Sequence, residues 1–306
     1  MTLEPRDLVL PKVSVVIRCH NEAKHIGRLL ESLGRQTLRD HEIVVVDSGS
    51  TDATLGIVSS FPTRVVHIAP QDFTFGRSLN LGCAAARGEF LVFASAHVYP
   101  VGDDWLERLV APFADERVAL TYGRQVGHET SKFSEFQLFE RQFPATSNPN
   151  QTIPFCNNAN AAVRRALWER HPYDETLTGL EDLAWGTWAL AQGFRIAYVA
   201  EAAIVHIHEE SLARIKRRYE REAIALRRIV PDSHMYAVEF VKYLSRQIWG
   251  DLRALMRERK SIALVPEILM FRTMQYWGTF RGMNARSEVT QQILHKFYFP
   301  EEARHG

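Results

Sequence analysis

Cysteine is scarce in this chain. Cys19, Cys83 and Cys156 are too few and too scattered for a disulfide framework or a zinc knuckle, and they fit a reducing compartment. The opening residues, Met1-Thr-Leu-Glu-Pro-Arg-Asp7, lack the basic start and apolar core of a secretory signal, so no export is expected. Long hydrophobic runs are missing as well. Ile262 to Val265 and Ile268 to Phe271 fall far short of the ~20 residues a bilayer span requires. No Gly-x-Gly-x-x-Gly follows the first apolar run, which excludes a Rossmann dinucleotide enzyme. Neither an internal repeat nor a low-complexity tract is visible. A large charge excess is also absent, the net being +1, and no nucleic-acid partner is expected.

What is present supports a large core: 46% of the 306 residues are hydrophobic. One catalytic unit, residues 1–210, with an appended helical region, 211–306, is the expected organisation. Charge is unevenly placed. Residues 211–286 hold 16 Lys/Arg against 7 Asp/Glu, so the tail is basic and the body acidic. Such a run fits an anionic membrane surface or simply a solvated helix face.

The first half alternates strand and helix patterns. Strands are expected at Val13 to Ile17, Glu42 to Asp47, Arg64 to Ile68 and from Phe90 toward His97. Helices fall at about Ala23 to Leu33, Thr51 to Phe61 and Arg77 to Ala86. This predicts an α/β fold with a mostly parallel, doubly covered sheet. Later come a helix near Trp105 to Phe113, a strand near Val118 to Tyr122, and a polar loop from Thr146 to Asn158 that could act as a lid. A strand at Ala159 to Val163, a helix at about Leu180 to Gly193 and short strands at Ile196 to Val199 and Ile204 to Ile207 follow. After Ser211 the pattern is helical, with Phe240, Val241, Leu244, Ile248, Leu252 and Leu255 predicting a packed or surface-lying amphipathic helix.

Polar groups stand where these strands end, which is where α/β sheets bind ligands. Asp47 follows one apolar strand and could accept a hydrogen bond from a nucleobase; a turn aspartate is the alternative. His97 follows another, and its imidazole suits Mn, Zn or Ni better than Mg. Arg77 and Asn80 open a helix, and a guanidinium matches phosphate oxygens. Glu181 and Asp182 begin a helix after Gly179, as caps or as a general base. His206 and His208 share one face of an extended backbone and could join His97 around a metal, with a structural pair as the alternative.

In order, these segments resemble family 2 glycosyltransferases of the GT-A fold. The resemblance runs from Val13 to about Glu210. It is carried by Val13-Ser-Val-Val-Ile-Arg-Cys-His-Asn-Glu22, Val44-Val-Val-Asp-Ser-Gly-Ser-Thr-Asp-Ala-Thr54, Arg77-Ser-Leu-Asn-Leu-Gly82 and Glu181-Asp182. One position departs: the family's Asp-x-Asp reads Ser95-Ala96-His97 here, similar to the Asp-x-His of polypeptide N-acetylgalactosaminyltransferases.

The resemblance implies a GT-A, Rossmann-like sheet with flanking helices and a C-terminal helical extension. It implies sugar transfer from a nucleotide-diphosphate donor, a UDP-sugar first, to a hydroxyl on a lipid or growing glycan, with inversion. Asp182 would be the base, with Glu181 as fallback, and Trp185 could line the acceptor pocket. Asp47, Arg77, Asn80 and Glu22 would serve the donor. His97 and His206, with His208, would hold a divalent cation, Mn before Mg. The basic cluster Arg214, Lys216, Arg217, Arg218 and Arg221 suggests peripheral attachment to the inner face of the cell membrane, in a cytoplasmic protein. A catalytically silent nucleotide-sugar or glycan binder is the competing reading.

Overall fold

The computed structural model describes residues 12–285. Its elements begin β1 (Val13–Cys19), α1 (Ile26–Gly34), β2 (His41–Asp47), α2 (Thr54–Val58), β3 (Thr63–His67), α3 (Phe75–Ala85), β4 (Phe90–Ser95) and β5 (Val98–Pro100). The middle of the chain forms α4 (Trp105–Val110), β6 (Val118–Gly127), α5 (Phe133–Gln142), β7 (Asn148–Gln151), β8 (Asn160–Arg164), α6 (Arg165–Arg170), α7 (Glu181–Ala191) and β9 (Arg195–His206). Three long helices close it: α8 (Leu212–Ile229), α9 (Ala237–Arg257) and α10 (Val265–Met283).

One sheet orders the strands β3-β2-β1-β4-β8-β6-β9-β5, with β7 also paired to β9. The first four run parallel, as the alternating pattern predicts. Beyond β4 the sheet is mixed. β8 lies antiparallel between β4 and β6, β9 runs parallel to β6, and β5 and β7 are antiparallel to β9. β4 and β5, only two residues apart in the chain, are not neighbours in the sheet: β4 pairs with β8 and β5 with β9.

Alternation along β1 builds two cores. Val13, Val15 and Ile17 pack with Leu29, Leu30 and Leu33 of α1 and Leu106 of α4 on one face. Val16 faces Leu79 and Cys83 of α3 on the other, with Trp168 and Trp185. Each fully buried aliphatic side chain contributes ~1.5–3 kcal/mol of transfer free energy, so this sheet is the rigid part of the molecule. Several boundaries differ from expectation. The helix near Thr51 to Phe61 shortens to α2, because the residues before it are tied into a loop network described below. α3 starts two residues early, where Thr74 accepts from the Arg77 amide as its N-cap. The two short strands at 196–199 and 204–207 are one strand, β9, interrupted by a bulge opposite Arg124. The expected lid at 146–158 contains β7, and Gln151 is held by Tyr122 and by the carbonyls of Ile153 and Phe155.

The C-terminal helices join the body through specific contacts. α8 and α10 touch at Gly278 and Gly282, where an added Cβ would lie 2.3 Å from the Lys216 and Glu220 carbonyls. Arg272 of α10 and Asp251 of α9 form a buried two-pronged pair at 2.7 and 2.8 Å, and both also bond Ser134 of α5. Removing one partner of such a buried pair costs roughly 3–5 kcal/mol, because the other charge is left without compensation. After β9 the described elements are all helical, and these helices pack on the rest of the fold. Residues 286–306 of the expected helical region, and residues 1–11, lie outside the described residues. Among the described residues no helix is long and apolar enough to cross a membrane.

Candidate active site

The site lies at the carboxyl rim of the parallel strands. Two loops there are tied to each other. Asn21, in the left-handed region at φ 55°, accepts through Oδ1 from the Thr51 and Asp52 amides and donates its own amide to Ser50. The Glu22 amide donates to Thr54 Oγ1 and the Ala23 amide to Asp52. Asp47 is 1% exposed and accepts from the Gly49 and Ser50 amides, with His67 Nδ1 3.6 Å away. Its carboxylate therefore shapes the turn that forms the rim.

Three imidazoles converge beside this floor. Val98 of β5 pairs with His206 of β9, and the Ile207 amide donates to the His97 carbonyl, so strand pairing brings residues 97, 206 and 208 together. The rings of His97 and His206 stack at 5.2 Å, and those of His206 and His208 lie 4.0 Å apart. One ring nitrogen from each falls within 4.8 Å of the others. Every Nδ1 meets an acceptor: His97 with Glu22 at 2.8 Å, His206 with Gln125 at 2.7 Å and His208 with Glu135 at 2.6 Å. These acceptors place the proton on Nδ1 and leave the Nε2 lone pair free. The Nε2 atoms of His206 and His208 face each other at 3.0 Å, a separation that a shared proton or a cation held by both rings would satisfy.

Burial, then the neighbouring His208 and His97, pushes His206 well below the ordinary histidine range. Burial works against ionisation of Glu135, yet hydrogen bonds and charge from His208 and Arg218 hold it down to about 2. Arg218 of α8 reaches both Glu135, at 2.9 Å, and Glu210, at 2.7 Å. The neighbouring cluster of Glu135, His208 and Glu210 already has its cation in this guanidinium.

The acid pair opens α7 after Leu180, which sits at φ 57°. Glu181 is 5% exposed and is paired with Arg18 of β1 at 3.4 Å. Arg18 is in register with Ser95 at the end of β4, which brings the acids to the same rim as the histidines. Asp182 is half-buried and accepts from the amides of Asn158, at 3.1 Å, and Leu183, at 2.8 Å. Burial, followed by the charge of Glu181, pushes Asp182 up to about 7. It is thus the member of the pair poised to exchange a proton near neutrality.

Two expected residues, Glu22 and Asn80, take other places. Glu22, expected near the donor, orients His97. Asn80 is consumed in packing: its amide nitrogen donates to the Tyr173 carbonyl and Glu175, while its oxygen accepts from Trp168 and Tyr173. An amide with every valence engaged pins α3 to the chain before α7 and has none left for a nucleotide. Arg77 lies exposed on α3. Trp185 is a core residue, 1% exposed, with its indole nitrogen on the His171 carbonyl. Conversely, Gln125 and Glu135 escape a reading of the sequence, and Arg218 enters it only as part of the basic cluster. Nothing local marks their roles, since Gln125 and Glu135 meet histidines 81 and 73 positions away, and Arg218 meets Glu135 83 positions away, only through strand and helix packing.

Comparison with known proteins agrees with this architecture. Residues 14–171 match the model of Glycosyl transferase family 2. The O-antigen chain rhamnosyltransferase WbaN of Salmonella anatum is 25% identical over 223 residues, covering 69% of this chain and 70% of that protein. The mannosyltransferase PcManGT from Pyrobaculum calidifontis, solved with GDP-Man and Mn2+, superposes with a TM-score of 0.65 at 18% identity, over 93% of this chain and 92% of that one. S. aureus TarS 1-349 with UDP-GlcNAc superposes at 0.54 and 18% identity, over 91% and 94%. The fold is GT-A-like, and the chain belongs to glycosyl transferase family 2 and is a glycosyltransferase.

Proposed function

We propose that this glycosyltransferase moves a sugar from a nucleotide-diphosphate donor to an acceptor hydroxyl, with inversion, using Asp182 as base and a divalent cation held by His97, His206 and His208. The observation that carries this reading is the convergence of one ring nitrogen from each of three imidazoles at the strand rim, each ring held through Nδ1 by its own partner. That donor set fits a metal, and imidazole favours a transition ion such as Mn over Mg. When bound, the cation offsets charge that develops on the diphosphate leaving group.

The protein's own groups do the rest. The nucleotide rests on the turn built by Asp47, with Arg77 toward its phosphates. Asp182 takes the proton of the acceptor hydroxyl as that oxygen bonds to the anomeric carbon and the carbon–phosphate oxygen bond breaks opposite. One displacement inverts the centre and requires a single base. Glu181 remains paired with Arg18, and its role is to raise Asp182 by proximity. The neighbours' donors, GDP-Man in one and UDP-GlcNAc in the other, are their own; UDP is the first nucleotide to test here. A lipid-linked or glycan hydroxyl is the proposed acceptor.

The test is calorimetric titration of UDP, GDP and dTDP in Mn, in Mg and in chelator, on the wild type and on His97→Ala. Mn-dependent binding that the substitution removes supports the reading. Nucleotide binding indifferent to both overturns the metal site, and binding without any sugar transfer favours the silent binder.

A further inference from the structure

Of the five cations that first suggest membrane attachment, Arg214 to Arg221 on α8, four are half-buried. Only Arg214 is exposed. Arg218 is spent on Glu135 and Glu210, and Arg221 lies over the Phe75 ring at 4.3 Å. α9 behaves in the opposite way. Of its sequence-visible stripe, Phe240, Leu244, Ile248, Leu252 and Leu255 are half-buried or buried, while Val241 is exposed. The Asp251–Arg272 pair fixes that side against α10 and α5. A second apolar stripe is left facing out: Val238 at 73% exposure, Val241 at 61%, Trp249 at 54% and Met256 at 65%.

With 3.6 residues per turn, these four side chains project within roughly 80° of one another about the helix axis. Lys242, Arg246, Arg253 and Arg257, all exposed, fill the next roughly 60°. Arg253 stands over the Trp249 ring at 5.1 Å, a guanidinium beside an amphipathic aromatic. The acids nearby are already engaged, Glu239 on the Tyr236 amide and Glu258 with Arg257 and Gln137. An apolar band bordered by a row of cations matches the boundary of an anionic bilayer, where acyl chains meet negative headgroups.

We propose that the outward face of α9, through Val238, Val241, Trp249 and Met256 with the row from Lys242 to Arg257, lies on an anionic lipid surface. This deepens the reading of a lipid-linked acceptor. Its meaning rests on that reading, but vesicle binding needs neither donor nor acceptor, so the two fail separately.

The experiment is co-flotation of the full chain with vesicles of phosphatidylcholine, with and without phosphatidylglycerol, alongside analytical ultracentrifugation. Wild type is expected to float with the anionic vesicles only. Trp249→Ala with Met256→Ala, and separately Lys242→Glu with Arg246→Glu, are expected to weaken binding at least about tenfold. Arg214→Ala is expected to leave binding unchanged. All these positions are exposed, and unaltered circular dichroism with normal nucleotide binding verifies the fold. Equal flotation with neutral vesicles, no flotation, or loss of binding only in Arg214→Ala would overturn the proposal. So would a concentration-dependent dimer abolished by the Trp249 and Met256 changes, which would assign the face to a second copy of this chain.

Discussion

Two groups of functional side chains meet at one rim and are built in opposite ways. The three histidines come from a turn and the end of β9, and each has a separate partner behind it. The two acids are adjacent on one helix, and Arg18 pairs with Glu181. In the first group, an outer contact holds each ring through its Nδ1. In the second, proximity is left partly unrelieved, so Asp182 holds its proton to about 7. A metal site requires fixed lone pairs, whereas a base requires a proton affinity near the working pH.

Breaking the acid pair should have the largest effect. Asp182→Asn is expected to lower kcat by roughly 10²–10⁴-fold, with the nucleotide affinity from calorimetry unchanged; a loss below tenfold would move the base elsewhere. Removing an imidazole comes next. His206→Ala should abolish Mn-dependent UDP binding, read by titration and by the paramagnetic signal of free Mn. Loosening a partner behind an imidazole is milder. Gln125→Leu or Glu135→Gln should weaken Mn by about 10–100-fold while leaving three imidazoles present, and unchanged Mn affinity would reduce these contacts to packing.

The smallest change sharpens the comparison most. Activity should rise with pH through about 7 as Asp182 loses its proton, and Glu181→Gln, by removing the adjacent charge, should shift that limb to lower pH. Stability has the opposite sign. A carboxyl raised in the folded state favours folding while protonated, and that contribution fades as pH climbs from the ordinary aspartate range through about 7. Thermal unfolding of Asp182→Asn should therefore lose less stability than wild type over that window.

Much of the parallel half is legible in the residues. β1, β2 and β4 are apolar on both faces because helices cover both sides, and such strands read as unbroken runs. α5 and β7 left no comparable mark, since α5 is polar for most of its length and β7 is Asn148-Pro-Asn-Gln151. His97 and the acid pair stand out because they follow apolar punctuation. Asn80 misled for the same reason: a helix-start amide looks identical whether it meets a ligand or a neighbouring carbonyl.

The sequence by itself determined the alternating elements, the family, and which residue types end the strands, because burial periodicity and short motifs are local. Only the tertiary structure decided which nitrogens converge, which acid carries the raised proton affinity, and which basic helix faces outward. Those depend on distance, desolvation and packing between residues far apart in the chain. Arg218 and Arg253 are the same side chain on successive helices, one consumed by the buried Glu135 and the half-buried Glu210 and the other open to solvent, and composition does not distinguish them.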